Sequence, residues 1–216
     1  MAVAVVVSHA HVADELGHIG EWLHDAGFSV ERVFREHLPG EVEGELLVSL
    51  GSPESVAEGH MKPGAEAEVE LVGRWVSADR PFLGVCFGAQ VLARATGGSV
   101  HRMPRTYRAY TPLELSPSAP EQLRGGWSVW HEDAISAPSR ADVKATLPHA
   151  DAAFRVGRAW GIQPHIEFDS DIVRRLVDKM SVKPGGWEAL YEGLRADDDG
   201  HARRSNELLT TISSSW

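Results

Sequence analysis

The sequence predicts an α/β domain built on a largely parallel central sheet. Residues 2–7 form a continuous β-branched run, the pattern of a central strand buried on both faces. A second short apolar run, residues 82–85, passes directly into an alanine-rich helical stretch, 87–96, which Gly97 and Gly98 close. Strand-like and helix-like stretches alternate through the first half of the chain. A chain of 216 residues suits one such domain, spanning 1–216, with room for a sizeable core.

Composition narrows the function classes. Hydrophobic residues make up 43% and charged residues 24%, ordinary for a soluble globule. The formal net charge of −10 argues against a nucleic-acid partner, which calls for a basic face. A single cysteine rules out an internal disulfide framework and fits a reducing cytoplasm, the expected location. The apolar run at 2–7 has no basic region before it and is too short for a signal peptide. No stretch approaches the length of a membrane span, so no membrane partner is expected. No internal repeat is present.

The elements follow in order. The strand at 2–7 leads into a polar loop carrying His9, His11, Asp14 and Glu15. Their spacing matches no metal motif, and a solvated loop is expected. Leu16, Ile19, Trp22 and Leu23 form one stripe of a first helix that Gly27 stops. Residues 28–34 read as a strand, 37–45 as a Pro/Gly-containing acidic loop, and 45–50 as a third strand. Residues 63–79 read as a helix with Val69, Val72, Trp75 and Val76 on one face. Beyond Gly98, strand pieces at 99–102 and 110–115 flank a loop. Residues 127–133 read as a strand leading to a polar turn, and further strands are expected around 143–147, 152–156 and 159–163, arranged as hairpins. From Asp169 the chain is helical to its end (segment 169–216). Ile172, Val173, Leu176, Val177 and Met180 form an apolar stripe, and Pro184-Gly185-Gly186 makes a break. Residues 196–200 read as an exposed turn and 213–216 as a fraying tail.

Cys86 stands at the junction of the 82–85 strand and the following helix, with Gly84 and Gly88 two residues away on either side. A sharp strand-to-helix turn crowds backbone against backbone, which residues without a side chain tolerate. The helix start faces the sulfur with free N–H groups and the positive end of the dipole. These features identify Cys86 as a candidate nucleophile.

The segment Gly84-Val85-Cys86-Phe87-Gly88-Ala89-Gln90 resembles the nucleophile motif of class I, triad-type glutamine amidotransferases. Gln163-Pro164-His165-Ile166-Glu167 resembles their second signature, although proline here precedes the histidine. At a strand end, residues two apart share a side, so Glu167 can orient His165. The resemblance then implies a Cys86–His165–Glu167 triad. Gly51-Ser52-Pro53 resembles the family turn whose backbone N–H helps form an oxyanion hole, and Phe87 N–H is the expected second donor. Trp130-His131-Glu132-Asp133 and 151–157 resemble further segments of free-standing amidotransferases similar to the glutaminase domain of GMP synthase.

The resemblance implies a flavodoxin-like three-layer α/β sandwich with a mixed, mainly parallel sheet. It also implies hydrolysis of an amide with no cofactor and no metal. Gln90, Ser52, Pro53, Trp130 and His131 become candidate substrate contacts. Relatives hold the glutamine head group with a glycine-containing segment where this chain reads 103–110. Arg105 and Arg108 appear there, suited to a substrate carboxylate and equally to a solvated surface. Three functions follow as alternatives. The first is ammonia release from L-glutamine for a separate acceptor-activating synthetase. The second is hydrolysis or transfer of a γ-glutamyl or related amide without such a partner. The third is a non-catalytic binding module, against which the triad implied by the resemblance stands.

Overall fold

A computed structural model describes residues 2–12 and 15–216. Asp14, one of the four residues weighed above as a metal ligand, lies outside the described residues. The first half of the chain alternates strand and helix: β1 (Ala2–Ser8), α1 (Gly17–Asp25), β2 (Phe28–Phe34), β3 (Leu46–Ser49), α2 (Pro63–Ser77), β4 (Phe82–Val85) and α3 (Phe87–Ala95). The second half opens with strands: β5 (Ser99–Pro112), β6 (Glu114–Leu115), β7 (Gly126–Ser136), β8 (Asp142–Leu147), β9 (Ala150–Val156) and β10 (Ala159–Ile162). Three helices close the chain: α4 (Ser170–Lys179), α5 (Glu188–Arg195) and α6 (Asp198–Ser213).

The main sheet has eight strands in the order β2-β1-β3-β4-β10-β9-β8-β6. From β2 to β10 every pairing is parallel; from β10 to β6 every pairing is antiparallel. The sheet is therefore mixed and mainly parallel, with helices on both faces. Val5 and Val7 of β1 pack towards α2 and α3, among Val72, Trp75, Phe87 and Leu92. Ala4 and Val6 point the other way, towards Trp22 and Leu23 of α1 and Leu208 and Ile212 of α6. That period-two split explains why β1 is apolar at successive positions: both of its faces are core. Among the described residues, no helix is long and apolar enough to cross a membrane.

The structure corrects four expectations. Residues 99–112 form one strand, β5, in place of two pieces around a loop. Its partner β7 holds it from Ser99↔Ser136 to Pro112↔Gly126, with a register shift between Arg102 and Tyr107. Pro104 sits inside that irregularity, where a missing N–H breaks no ladder. By the same pairing β7 runs on past Asp133 to Ser136, where a polar turn was expected. Residues 198–200 are the first turn of α6, and Asp197 before it accepts hydrogen bonds from Tyr110 Oη and Arg204 Nη2. The tail is anchored: Trp216 packs edge-on to Trp22 at 5.8 Å, and Trp160 Nε1 donates to Ser215 Oγ.

Candidate active site

The cysteine turn is tight in the way its glycines require. Cys86 has φ 52° and ψ −106°, a conformation that L-residues rarely adopt. A Cβ on Gly84 would lie 2.3 Å from the Gly88 carbonyl oxygen, and one on Gly88 would lie 2.1 Å from the Ser49 carbonyl oxygen. No side chain fits at either place. The turn thus pins Cys86 between the end of β4 and the start of α3, with its backbone N–H donating to Ile162 on the adjacent strand.

His165 and Glu167 lie in a turn past the end of β10, not at a strand end. They are nonetheless side by side: His165 Nδ1–H donates to Glu167 Oε1 at 2.7 Å, and both residues are buried. The Phe168 ring stacks on the imidazole, centroids 4.0 Å apart and planes 10° apart. Backbone bonds fix the turn, from His165 N–H to Ser128 and from His18 N–H to the Glu167 carbonyl. Cys86 Sγ lies 3.6 Å, and His165 Nε2 3.3 Å, from one atom, the Trp130 carbonyl oxygen. Burial alone would lower the His165 pKa. The Glu167 carboxylate and then Cys86 outweigh burial and hold it well above the usual histidine value.

Gly51 closes this cluster. A Cβ there would lie 2.9 Å from His165 Cε1 and 3.8 Å from Cys86 Cβ, so glycine lets the Gly51 turn reach both side chains. A buried ion pair holds the turn. Arg35 donates to the carbonyls of Leu50 and Gly51 and to both carboxylate oxygens of Glu68. Ser49 Oγ–H donates to Glu68 as well, and the guanidinium lies 4.3 Å from the centre of the Phe87 ring. Sequence reasoning missed this pair. Its only sequence signal is an arginine at the end of an apolar strand and a glutamate on the apolar side of α2.

One cleft contains the cluster, and Ser52, Pro53, Gln90, Trp130 and His131 all line it. Gln90 is buried, and its Nε2 donates to the Asp133 carbonyl and to Gln163 Oε1. His131 Nδ1–H donates to the Asp133 carbonyl, so its Nε2 accepts from His149 Nε2–H at 3.1 Å. Burial pushes the His131 pKa down to about 4, with nearby His149 and His165 adding to the effect against the Asp133 bond. His131 is therefore a neutral wall of the cleft. Asp133, buried below it, accepts from Ser55 Oγ. The structure does not bring Arg105 or Arg108 to the cleft. Arg105 is exposed, and Arg108 lies 4.8 Å over the Trp130 ring. The arginine that lines the cleft is Arg102, paired with Glu132. The register shift in β5 decides this: Arg102 opposite Asp133 and Tyr107 opposite His131 share a face, which leaves Arg108, opposite Trp130, on the other. Among the described residues, no cluster of three or more His, Cys, Asp or Glu is arranged to hold a metal.

The family model described as glutamine amidotransferase class-I matches residues 32–153, which contain Cys86 and end before His165. A glutamine amidotransferase-like protein of Salmonella typhimurium is 27% identical over 176 residues, covering 73% of this chain and 72% of that protein. A glutamine-hydrolysing GMP synthase of Nocardia farcinica is 32% identical over 179 residues, covering 72% of this chain and 32% of the synthase. The chain thus spans about a third of that synthase's length. In fold, a glutamine amidotransferase of Thermotoga maritima superposes with a TM-score of 0.81 at 23% identity, covering 98% of this chain and 97% of that one. A glutamine amidotransferase of Methylobacillus flagellatus superposes with a TM-score of 0.82 at 19% identity, covering 99% and 94%.

Proposed function

Because the chain belongs to the class I glutamine amidotransferase family, we propose that it hydrolyses the side-chain amide of L-glutamine through Cys86, His165 and Glu167. The ammonia passes to a separate acceptor-activating synthetase. One observation carries the reading: the strained cysteine and the carboxylate-bound histidine converge on the same Trp130 carbonyl oxygen.

The steps follow from the side chains. Cys86 Sγ attacks the amide carbon, and the C–S bond forms as the carbonyl oxygen takes up negative charge. The N–H groups of Gly51 and Phe87 receive that charge; the first N–H groups of a helix have no partner within it. His165, held protonated by Glu167, gives its proton to the leaving nitrogen, and the C–N bond breaks. Water then attacks the thioester and passes a proton to His165, and the C–S bond breaks to give glutamate. Gln90, Ser52, Pro53, Trp130 and His131 shape the walls around the substrate. Names among the relatives support glutamine as substrate, and the match to about a third of a GMP synthase supports a synthetase as the ammonia acceptor.

The test is direct. With L-glutamine the protein is expected to release glutamate and ammonia in equal amounts, and a diazo-ketone analogue of glutamine is expected to modify Cys86. Turnover by Cys86→Ala at the wild-type rate overturns the reading.

A further inference from the structure

Besides the triad, the cleft is lined by a charged group from two strands and by an apolar stripe from α4 and the residues before it. Arg102, Glu132 and Asp133, from β5 and β7, make the charged group. The apolar stripe runs at four-residue spacing: Phe168 before α4, Ile172 and Leu176 on it, and Met180 at its C-cap. Residues four apart lie on one helix face. The stripe begins at the ring stacked on His165 and runs outward to Met180, which is 39% exposed. Val12 lines the same cleft, and so does Glu15, whose carboxylate is paired with Arg175 of α4. Phe168 and Ile172 are buried in one cluster with Val173, Val177 and the α5 residues Leu190 and Leu194, whereas Leu176 stays partly open and Met180 open.

Resting on the triad reading above, we propose that this stripe is a leaving-group subsite, and that the enzyme also cleaves γ-glutamyl amides bearing an apolar N-alkyl substituent. The direction follows from the chemistry. The zwitterionic amino-acid head seeks the charged group of the cleft. His165 protonates the departing nitrogen, so anything attached to that nitrogen lies on the His165 side, against Phe168. Ammonia needs no apolar wall three helical turns long; an alkylamine fills one. The bonds are those already given: C–S forms, C–N breaks, the His165 proton leaves with the amine, and water releases glutamate.

The experiment is a series of γ-glutamyl N-alkylamides, from methyl to n-butyl, compared with L-glutamine by kcat/KM. Each methylene buried on the stripe is expected to raise kcat/KM about fourfold. In Leu176→Asp and Met180→Asp, both at partly open positions that tolerate a polar residue, the rise with chain length is expected to flatten. Wild-type kcat/KM that stays level or falls along the series, while L-glutamine is hydrolysed, overturns the subsite and leaves the triad reading standing. An unchanged gradient in both variants also overturns it. No turnover of any amide, together with an unmodified Cys86, overturns both.

Discussion

Arg35 Nη1 donates a hydrogen bond to the Gly51 carbonyl at 3.2 Å. The same guanidinium lies over the Phe87 ring. One buried cation thereby touches both residues proposed to supply the oxyanion hole, and Glu68 neutralises it. Removing Arg35 alone strands a buried carboxylate, which costs roughly 3–5 kcal/mol. Arg35→Met is therefore expected to unfold at markedly lower denaturant. Arg35→Met combined with Glu68→Leu, which leaves no buried charge, is expected to recover most of that stability. Activity is expected to stay down by up to about 100-fold in the double variant, because the Gly51 turn has lost its anchor. Urea midpoints and kcat measured on the same samples separate the two effects. Full activity in a stable double variant would show that the pair serves folding alone.

The proton on His165 gives a pH prediction. Burial lowers its pKa, and Glu167, the largest opposing influence, raises it with help from Cys86. Taking away the Glu167 charge removes that support, so the imidazole loses its proton at lower pH. In Glu167→Gln the alkaline limb of the kcat/KM profile is expected to move to lower pH, with a loss of rate smaller than that of His165→Ala. General acid–base groups contribute on the order of 10²- to 10⁴-fold, which bounds the histidine variant. An alkaline limb that does not move places its titration on another group.

How much of this was legible beforehand depends on the range of the interaction. β1 shows in the sequence because a β-branched run is a local signal. Cys86 shows because Gly84 and Gly88 answer to backbone crowding within its own turn. Residues 103–109 do not show as strand. Pro104 interrupts them, and the pairing that holds them comes from β7, across an intervening short strand and loop. Arg35 reads as one more polar residue until α2 delivers Glu68, 33 residues later. Asp197 reads as a solvated turn until Tyr110 and Arg204 close on it. Each of these misses turns on a partner distant in sequence, β7 for the strand, Glu68 for Arg35 and Tyr110 for Asp197.

His201 makes stability acid-sensitive. Its imidazole is buried among the rings of Trp127, His18 and Tyr110, with centroids 5.1, 5.9 and 6.0 Å away. Burial, reinforced by His18 and Arg204 and opposed by Asp197, pushes its pKa from 6.5 down to about 3. Between those values the unfolded chain binds a proton that the folded chain refuses, so stability falls as pH falls. From pH 7 to pH 5 the loss is about 2 kcal/mol, the slope approaching roughly 1.36 kcal/mol per pH unit once the unfolded histidine is fully protonated. His131, lowered to about 4, adds a loss of the same sign. His201→Met is expected to remove its own share of the acid loss while His131 keeps its share. Urea unfolding at pH 7 and pH 5 reads the difference. An equal loss in both proteins would place the acid sensitivity elsewhere.

The strain at Cys86 predicts a trade between stability and turnover. A non-glycine residue held at φ 52°, ψ −106° costs on the order of 1–3 kcal/mol. Glycine adopts positive φ freely, but it gives back roughly 0.5–1 kcal/mol through its more flexible unfolded chain. Cys86→Gly and Cys86→Ala both lose the sulfur, and turnover with it. They differ only in whether a Cβ must occupy the strained backbone. Cys86→Gly is therefore expected to be the more stable of the two by about 0.5–2 kcal/mol, the order glycine and alanine ordinarily take at a helix N-cap, which is the place Cys86 holds on α3. Urea midpoints of the two inactive variants decide the matter. If alanine proves the more stable, the turn relaxes once the sulfur is gone, and the native strain belongs to the thiol's own contacts with Trp130 and His165 rather than to the backbone.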